Sequence, residues 1–313
     1  MNNSFIGDFK LLKNKKIVLI SGGISSEREI AQKSSDAVEK ALINLGLNYK
    51  RVDFNERNRK DIFTLIRKIN PDVAFLGLHG AFGEDGRIQG ALDILGIKYA
   101  GSGMLSSAVA MDKIITKKIL IEKKLPTPGY MEYTGGKLKM KLPVVVKPAD
   151  GGSTLGVTIV KNNRDFNKAV KLALKYCSKV LVEKYVKGRE VTVPVFFGKA
   201  LPVIEIIPKT AFYDYTAKYV KGMSEHVMPA KIEKKLYMKI EKLALETHEA
   251  LLLKDFSRVD FIIDKKTNKP YILEANSLPG LTGTSLLPEA VRYLGVSFEE
   301  MILSMLSGAV KNG

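Results

Sequence analysis

Short apolar runs separated by amphipathic stretches set the rhythm of the first third of the chain. KKIVLI (15–20) has the length and composition of a buried strand, and the glycine turn SGGISS follows it. The pattern predicts a helix from about Ser26, with Glu29 three residues on completing a capping-box pattern. Its apolar positions Ile30, Ala37, Ala41, Leu42 and Leu45 keep helical spacing, and Gly46 stops it. A second helix over about 60–69 leads to the strand VAFLGL (73–78), the loop HGAFGEDG (79–86) and a helix from Arg87 to about Leu95. Strand and helix in alternation predict an α/β unit with a parallel, Rossmann-like sheet. Ligands gather beyond the carboxyl ends of such strands, where SGGISSERE and HGAFGEDG fall.

The rhythm changes after Met111. A helix over about 112–123 leads through LPTPGY to LPVVVKP (142–148), the glycine-rich loop ADGGSTLG (149–156) and the run VTIV (157–160). Strand, loop and strand make an antiparallel hairpin, followed by a helix over about 164–176 and the strand VLVEKYV (180–186). A second hairpin joins EVTVPVFF to LPVIEII through the turn GKA. FYDYTAKYVKGMSEHVM (212–228) has no clear period and reads as a long functional loop. A long helix over about 231–252 precedes SRVDFIID, the turn KKTNK and YILEAN. The central and C-terminal parts are therefore expected to be α+β.

Composition narrows the class of protein. With 313 residues, 45% hydrophobic and 27% charged, the chain is an ordinary globular protein of two or three units. No window reaches the roughly eighteen consecutive apolar residues of a membrane span, and the first residues show no signal-peptide pattern. The lone Cys177 excludes an internal disulfide and fits a reducing cytoplasm. A net charge of +17 raises the question of nucleic acid, but the lysines are scattered along the helices without interleaved aromatics. Solubility and steering of an anionic small substrate suit that charge better than nucleic-acid or membrane binding.

Two stretches carry candidate chemistry. In LEANSLPG, Glu274 and Asn276 stand two apart on a strand and so share a face. Two hard oxygen donors on one face suit Mg²⁺; a strand end dissolving into a polar turn accounts for them equally well. In VVVKPADGGSTLG, Lys147 ends a strand and small residues let backbone N–H groups approach an anion. This is neither a Walker loop nor a GxGxxG turn, and alone it is an ordinary hairpin. Followed by LVEKYVKGRE, RVDFIID and LEAN, it reads as a nucleoside-triphosphate site with Mg²⁺.

The ordered motifs GGISSERE, LHGAFGEDG, GSGMLSSAVAMDK, VKPADGGSTLG, LVEKYVKGREVTV, FYDYTAKY, RVDF and LEANSLPGLTGTSLLP closely resemble those of the D-alanine–D-alanine ligase family, in the ATP-grasp superfamily. The resemblance runs from about Lys16 to about Leu306. It implies a three-part fold, with an N-terminal substrate unit at 15–111 and ATP-grasp units at 112–187 and 188–313; residues 1–14 read as an extension outside the family pattern. The implied reaction joins two D-Ala at the expense of ATP, through a D-alanyl phosphate, for peptidoglycan synthesis in the cytoplasm. The implied partners are the small molecules D-Ala and ATP, with two Mg²⁺ ions (or Mn²⁺). A homodimer is common in the family.

By the same resemblance, Lys113, Lys147 and Lys218 bind phosphates, and Glu183, Lys184, Val186 and Glu190 serve adenine and ribose. Asp260, Glu274 and Asn276 resemble the magnesium ligands, and Arg258 with the N–H of Gly280 would stabilise the tetrahedral oxyanion. Glu27 would bind the first ammonium group beside Ser153 and Tyr219, with His79 near the first carboxylate and Ser285 and Leu286 at the second. Each has a plainer reading outside that context. Lys113 and Lys147 could be solvated lysines, Glu183 and Glu190 a polar strand face, Arg258 an ion-paired arginine and His79 a hydrogen-bonded structural histidine. Glu27 is favoured in any first helical turn, and TGTSLL could be a helix N-cap. His226 and His248 read as ordinary residues. The YTAKY lid favours an amine acceptor, because D-lactate ligases of the family generally lack it; D-Ser, D-lactate or another carboxylate–amine ligase activity are the alternatives. NSLPG departs from the commoner NTSPG or NTLPG without removing a residue that has a role.

Overall fold

A computed structural model describes residues 7–151, 154–208 and 224–312. The N-terminal sheet is parallel, in the order β2-β1-β3-β4, with β1 Ile17–Gly22, β2 Tyr49–Phe54, β3 Val73–Leu78 and β4 Lys98–Tyr99. Every residue of β1 and β3 is buried, which accounts for their unbroken apolar runs. Between the strands run helices α1 (Arg28–Asn44), α2 (Ile62–Ile69) and α3 (Arg87–Ile94). The capping box expected at Ser26 does not form: Glu27 occupies the N-cap and makes no side-chain cap bond. Ser25 anchors the turn instead, donating to His79 O at 2.7 Å and accepting from Glu27 N at 3.2 Å.

After α4 (Met104–Met111) and α5 (Lys113–Glu122), an antiparallel sheet of order β5-β8-β6-β7 is built from Tyr130–Glu132, Val144–Pro148, Thr158–Val160 and Val180–Lys184, numbered β5 to β8 in chain order. Helix α6 (Asn163–Ala173) buries Phe166, Ala169, Val170 and Ala173 against it. The third sheet runs β12-β11-β9-β13-β14, with β10 beside β9. Its strands are β9 Gly188–Phe196, β10 Lys199–Ala200, β11 Ile204–Pro208, β12 Ser224–Val227, β13 Phe256–Asp264 and β14 Pro270–Asn276. The loop expected over 212–228 thus ends in a strand, where Ser224–Val227 pair with Glu205–Pro208. The rest of that expected loop, from 212 to 223, lies outside the described residues. Helix α7 (Lys234–Ala250) covers the sheet, and α8 (Leu286–Tyr293) and α9 (Phe298–Asn312) complete the described chain.

One hydrophobic cluster joins β1 and β3 to Phe196 and Phe256 of the third sheet and to Leu287, Met301 and Leu306 of the last two helices. Phe256 is 1% exposed, and its ring fills the space where a Cβ at Gly101 would sit 2.9 Å away. Phe256→Ala removes the filling between the two sheets and should cost about 3–5 kcal/mol. Urea unfolding of the two proteins measures it, and a loss below about 1 kcal/mol would show that the contact does not carry the junction.

His248, buried on α7, lies with Nδ1 2.7 Å from Ser257 Oγ, and burial pushes its pKa down to about 4. The unfolded chain titrates near about 6.5, so below that pH it binds a proton the folded ring refuses. This contribution is complete above about pH 6.5 and is lost as pH falls towards 4, at up to about 1.4 kcal/mol per pH unit. Unfolding free energies measured across that range should show this slope, and His248→Gln should lack it.

Candidate active site

The sheets meet around one cavity of about 450 Å³, and every site residue expected from the sequence that lies among the described residues lines it. Ser153, Lys218 and Tyr219 lie outside the described residues. From the parallel sheet come Glu27, at the start of α1, and His79, at the carboxyl end of β3. Both are buried. Gly80 makes this crowding possible, since a Cβ there would lie 2.9 Å from Glu27 Oε2, and its φ of +67° suits glycine. His79 Nδ1 stands 3.4 Å from Glu84 Oε1, and Nε2 stands 3.1 Å from Ser34 Oγ. A carboxylate can only accept, so the Nδ1–H tautomer, with Nε2 accepting from Ser34, is the one that satisfies both contacts.

The opposite wall is the β13–β14 hairpin. Asp260 pairs directly with Glu274 and Arg258 with Asn276 across the ladder, so all four side chains project from one face. A register shift after Asp260 leaves Leu273 as the extra residue of a bulge, and Leu273 also meets the cavity. Arg258 grips Asp260 with two bonds of 2.9 Å, and Thr192 Oγ1 donates to the same carboxylate at 2.6 Å. Asn276 Nδ2 donates to Asp260 Oδ2 at 3.0 Å, which leaves the amide oxygen as the atom this side chain could offer a cation. Two carboxylates and an amide oxygen are hard donors that fit Mg²⁺, and Mn²⁺ by the same chemistry.

Lys113 opens α5 behind Asp112, whose carboxylate caps the helix by accepting from Ile114 N and Ile115 N. Its Nζ lies 3.2 Å from Glu274 Oε2 and donates to Gly151 O at 2.7 Å. Burial opposes its charge, but Glu274, with Glu84 and Asp150, outweighs that and holds Lys113 above the ordinary lysine range. Lys147 Nζ lies 2.6 Å from Glu183 Oε1. Burial works against the Glu183 carboxylate, yet Lys147 and then Lys117 keep it below its usual range and ionised. The Glu183 side chain is thus taken up by lysines, and its backbone lies inside the sheet between Tyr130 and Val145. Lys184 N donates to Gly129 O at 2.8 Å, so of the backbone groups expected to face a base edge there, only its carbonyl remains.

Two residues escaped the sequence reading. His226, read as ordinary, lines the cavity through its place on β12 opposite Ile206, with Nδ1 2.8 Å from Glu289 Oε2. Lys117, 0% exposed, lies 2.9 Å from Glu183 Oε2. Ser285 is the N-cap of α8 without a side-chain cap bond; its Oγ accepts from Thr282 N at 3.0 Å. A Cβ at Gly280 would come 2.9 Å from that hydroxyl, so glycine keeps the turn closed around it.

Known proteins are similar to this chain in sequence and in shape. A family model described as D-ala D-ala ligase C-terminus matches residues 131–307, and one described as D-ala D-ala ligase N-terminus matches residues 47–102. A D-alanine–D-alanine ligase of Carboxydothermus hydrogenoformans is 42% identical over 306 residues, covering 93% of this chain and 97% of its own. That of Geotalea uraniireducens is 44% identical over 304 residues, covering 95% and 96%. A crystal structure of D-alanine–D-alanine ligase from Bacillus anthracis complexed with ATP matches with a TM-score of 0.82 and 31% identity, over 95% of this chain and 98% of that one.

Proposed function

Because the chain belongs to the D-alanine–D-alanine ligase family, we propose that it condenses two D-Ala into D-Ala-D-Ala while ATP is cleaved to ADP and phosphate. The observation that supports this best is the convergence of Glu27, His79, Lys113, Lys147, Arg258, Asp260, Glu274 and Asn276 on one cavity. ATP lies between the second and third units, divided at 111/112 and 187/188. The Lys184 carbonyl and the Val186 N–H meet the base edge, and Glu190 accepts from the ribose hydroxyls. Lys113 and Lys147 neutralise phosphate oxygens. Asp260, Glu274 and Asn276 hold Mg²⁺, which when bound screens the charge of the phosphoryl group being transferred.

Glu27 takes the ammonium of the first D-Ala, beside the His79 ring, and holds its carboxylate facing the γ-phosphorus. The carboxylate oxygen bonds to phosphorus as the bond to ADP breaks, giving an acyl phosphate. The second D-Ala places its carboxylate at Ser285 and Leu286, at the N-terminus of α8, where the helix dipole favours an anion. Its neutral amine attacks the acyl carbon, the amine proton is lost, and phosphate leaves. Arg258 and the Gly280 N–H stabilise the oxyanion between those events. The reading includes a cytoplasmic, homodimeric enzyme that supplies a peptidoglycan precursor; among the described residues no helix is long and apolar enough to cross a membrane. Incubation with D-Ala plus D-Ser or D-lactate, followed by product analysis, tests the acceptor. D-Ala-D-Ala should dominate near neutral pH, and a depsipeptide as the main product would overturn the amine-acceptor reading.

A further inference from the structure

Lys117 lies outside the cavity wall, one helical turn beyond Lys113 on α5, and is fully buried. Its Nζ faces Thr127 Oγ1 at 2.6 Å, Glu183 Oε2 at 2.9 Å and Pro128 O at 3.4 Å. Thr127 spends its own proton on Ile272 O at 2.9 Å, so towards Lys117 it can only accept. Two of these acceptors hydrogen-bond the ammonium, and Glu183 Oε2, a buried oxygen without a hydrogen bond, meets it as an ion pair. The Tyr130 ring adds a cation–π contact at 5.5 Å to its centroid. Burial holds the Lys117 pKa below the ordinary lysine range, with Glu183 pulling it up and Lys147 pushing it further down.

A buried lysine–glutamate–lysine chain is a costly way to stabilise a fold, since apolar residues of the same size usually do as well. It does have a consequence for the cavity. Glu183 carries one negative charge and divides it, Oε1 to Lys147 and Oε2 to Lys117. The triad keeps a net positive charge, and of its two lysines only Lys147 lines the cavity.

We propose that Lys117 is a positioning residue for nucleotide binding: by occupying half of the Glu183 carboxylate, it keeps Lys147 partly uncompensated and turned towards the nucleotide phosphates. This rests on the ATP reading of the site. Without Lys117, Glu183 pairs with Lys147 alone, the pair becomes neutral, and the ammonium is drawn back to the carboxylate.

The test compares the binding of ATP, ADP and adenosine to the whole protein and to Lys117→Met, Lys117→Gln and Lys117→Met/Glu183→Gln. Lys117→Met should weaken ATP and ADP by about tenfold or more, as expected when Glu183 compensates the Lys147 charge that faces the phosphates, while adenosine affinity holds. The double variant should recover most of the phosphate-dependent affinity, because Lys147 is again uncompensated. Lys117→Gln reports the same charge loss if the methionine variant does not fold. Unchanged ATP affinity in the single variants would overturn the proposal. So would equal losses for ATP and adenosine with no recovery in the double variant, the signature of a packing role. Failure of the unmodified protein to bind ATP would remove the reading on which the proposal rests, and is told apart by that first measurement.

Discussion

Glu274→Gln should lower kcat by about three orders of magnitude and move the Mg²⁺ requirement to much higher concentration. Glutamine keeps the volume, the strand position opposite Asp260 and an oxygen, but it removes the charge. A carboxylate lost from a hard-cation site forfeits several kcal/mol of charge stabilisation in phosphoryl transfer, and about 1.4 kcal/mol is worth tenfold in rate. Lys113 would lose the carboxylate now 3.2 Å from its Nζ, so phosphate placement would suffer as well. Initial rates across a Mg²⁺ titration separate the two effects. A variant with the parental Mg²⁺ dependence would remove Glu274 from the cation site.

Arg258→Ala should lower kcat by about 10²–10³ and leave the KM for ATP within a few-fold, the behaviour of a donor that acts on the transition state. The structure adds a qualification to the single-role assignment. Arg258 also holds Asp260 through two bonds, so alanine loosens a proposed cation ligand too. Arg258→Lys discriminates, because it keeps a charge but cannot span both carboxylate oxygens. If the oxyanion role dominates, lysine should recover part of kcat at unchanged Mg²⁺ dependence. Loss of ATP affinity with normal turnover would contradict the role.

Much of this site could be read from the sequence because its residues sit at strand ends and turns, where chemistry and backbone pattern coincide. The buried strands β1 and β3 gave unbroken apolar runs, and the i, i+2 spacing of Glu274 and Asn276 brought them to one face. Strand β2 was hidden because it is an edge strand: its Arg51 and Asp53 pair with Asp36, Glu39 and Arg28 of α1 and bear no apolar pattern. The bulge at Leu273 left no mark, since leucine fits either face of a strand. Helix α4, MLSSAVAM, is too uniform in small and apolar residues to show a polar face. Lys117 escaped notice for an electrostatic reason. In KIITKKILIE one lysine looks like the next, and only the fold brings Glu183 and Thr127 to the first of the adjacent pair. The Ser25 anchor was one residue away from the expected cap, because Glu27 is directed to the cavity instead of to the helix end.

Phosphate release by the purified protein with Mg-ATP, compared across D-Ala, L-Ala and no amino acid, tests the central claim most directly when D-Ala-D-Ala is followed by mass spectrometry. The account predicts release that depends on D-Ala and matches the dipeptide formed mole for mole. ATP binding without D-Ala-dependent release, or release without dipeptide, would contradict it.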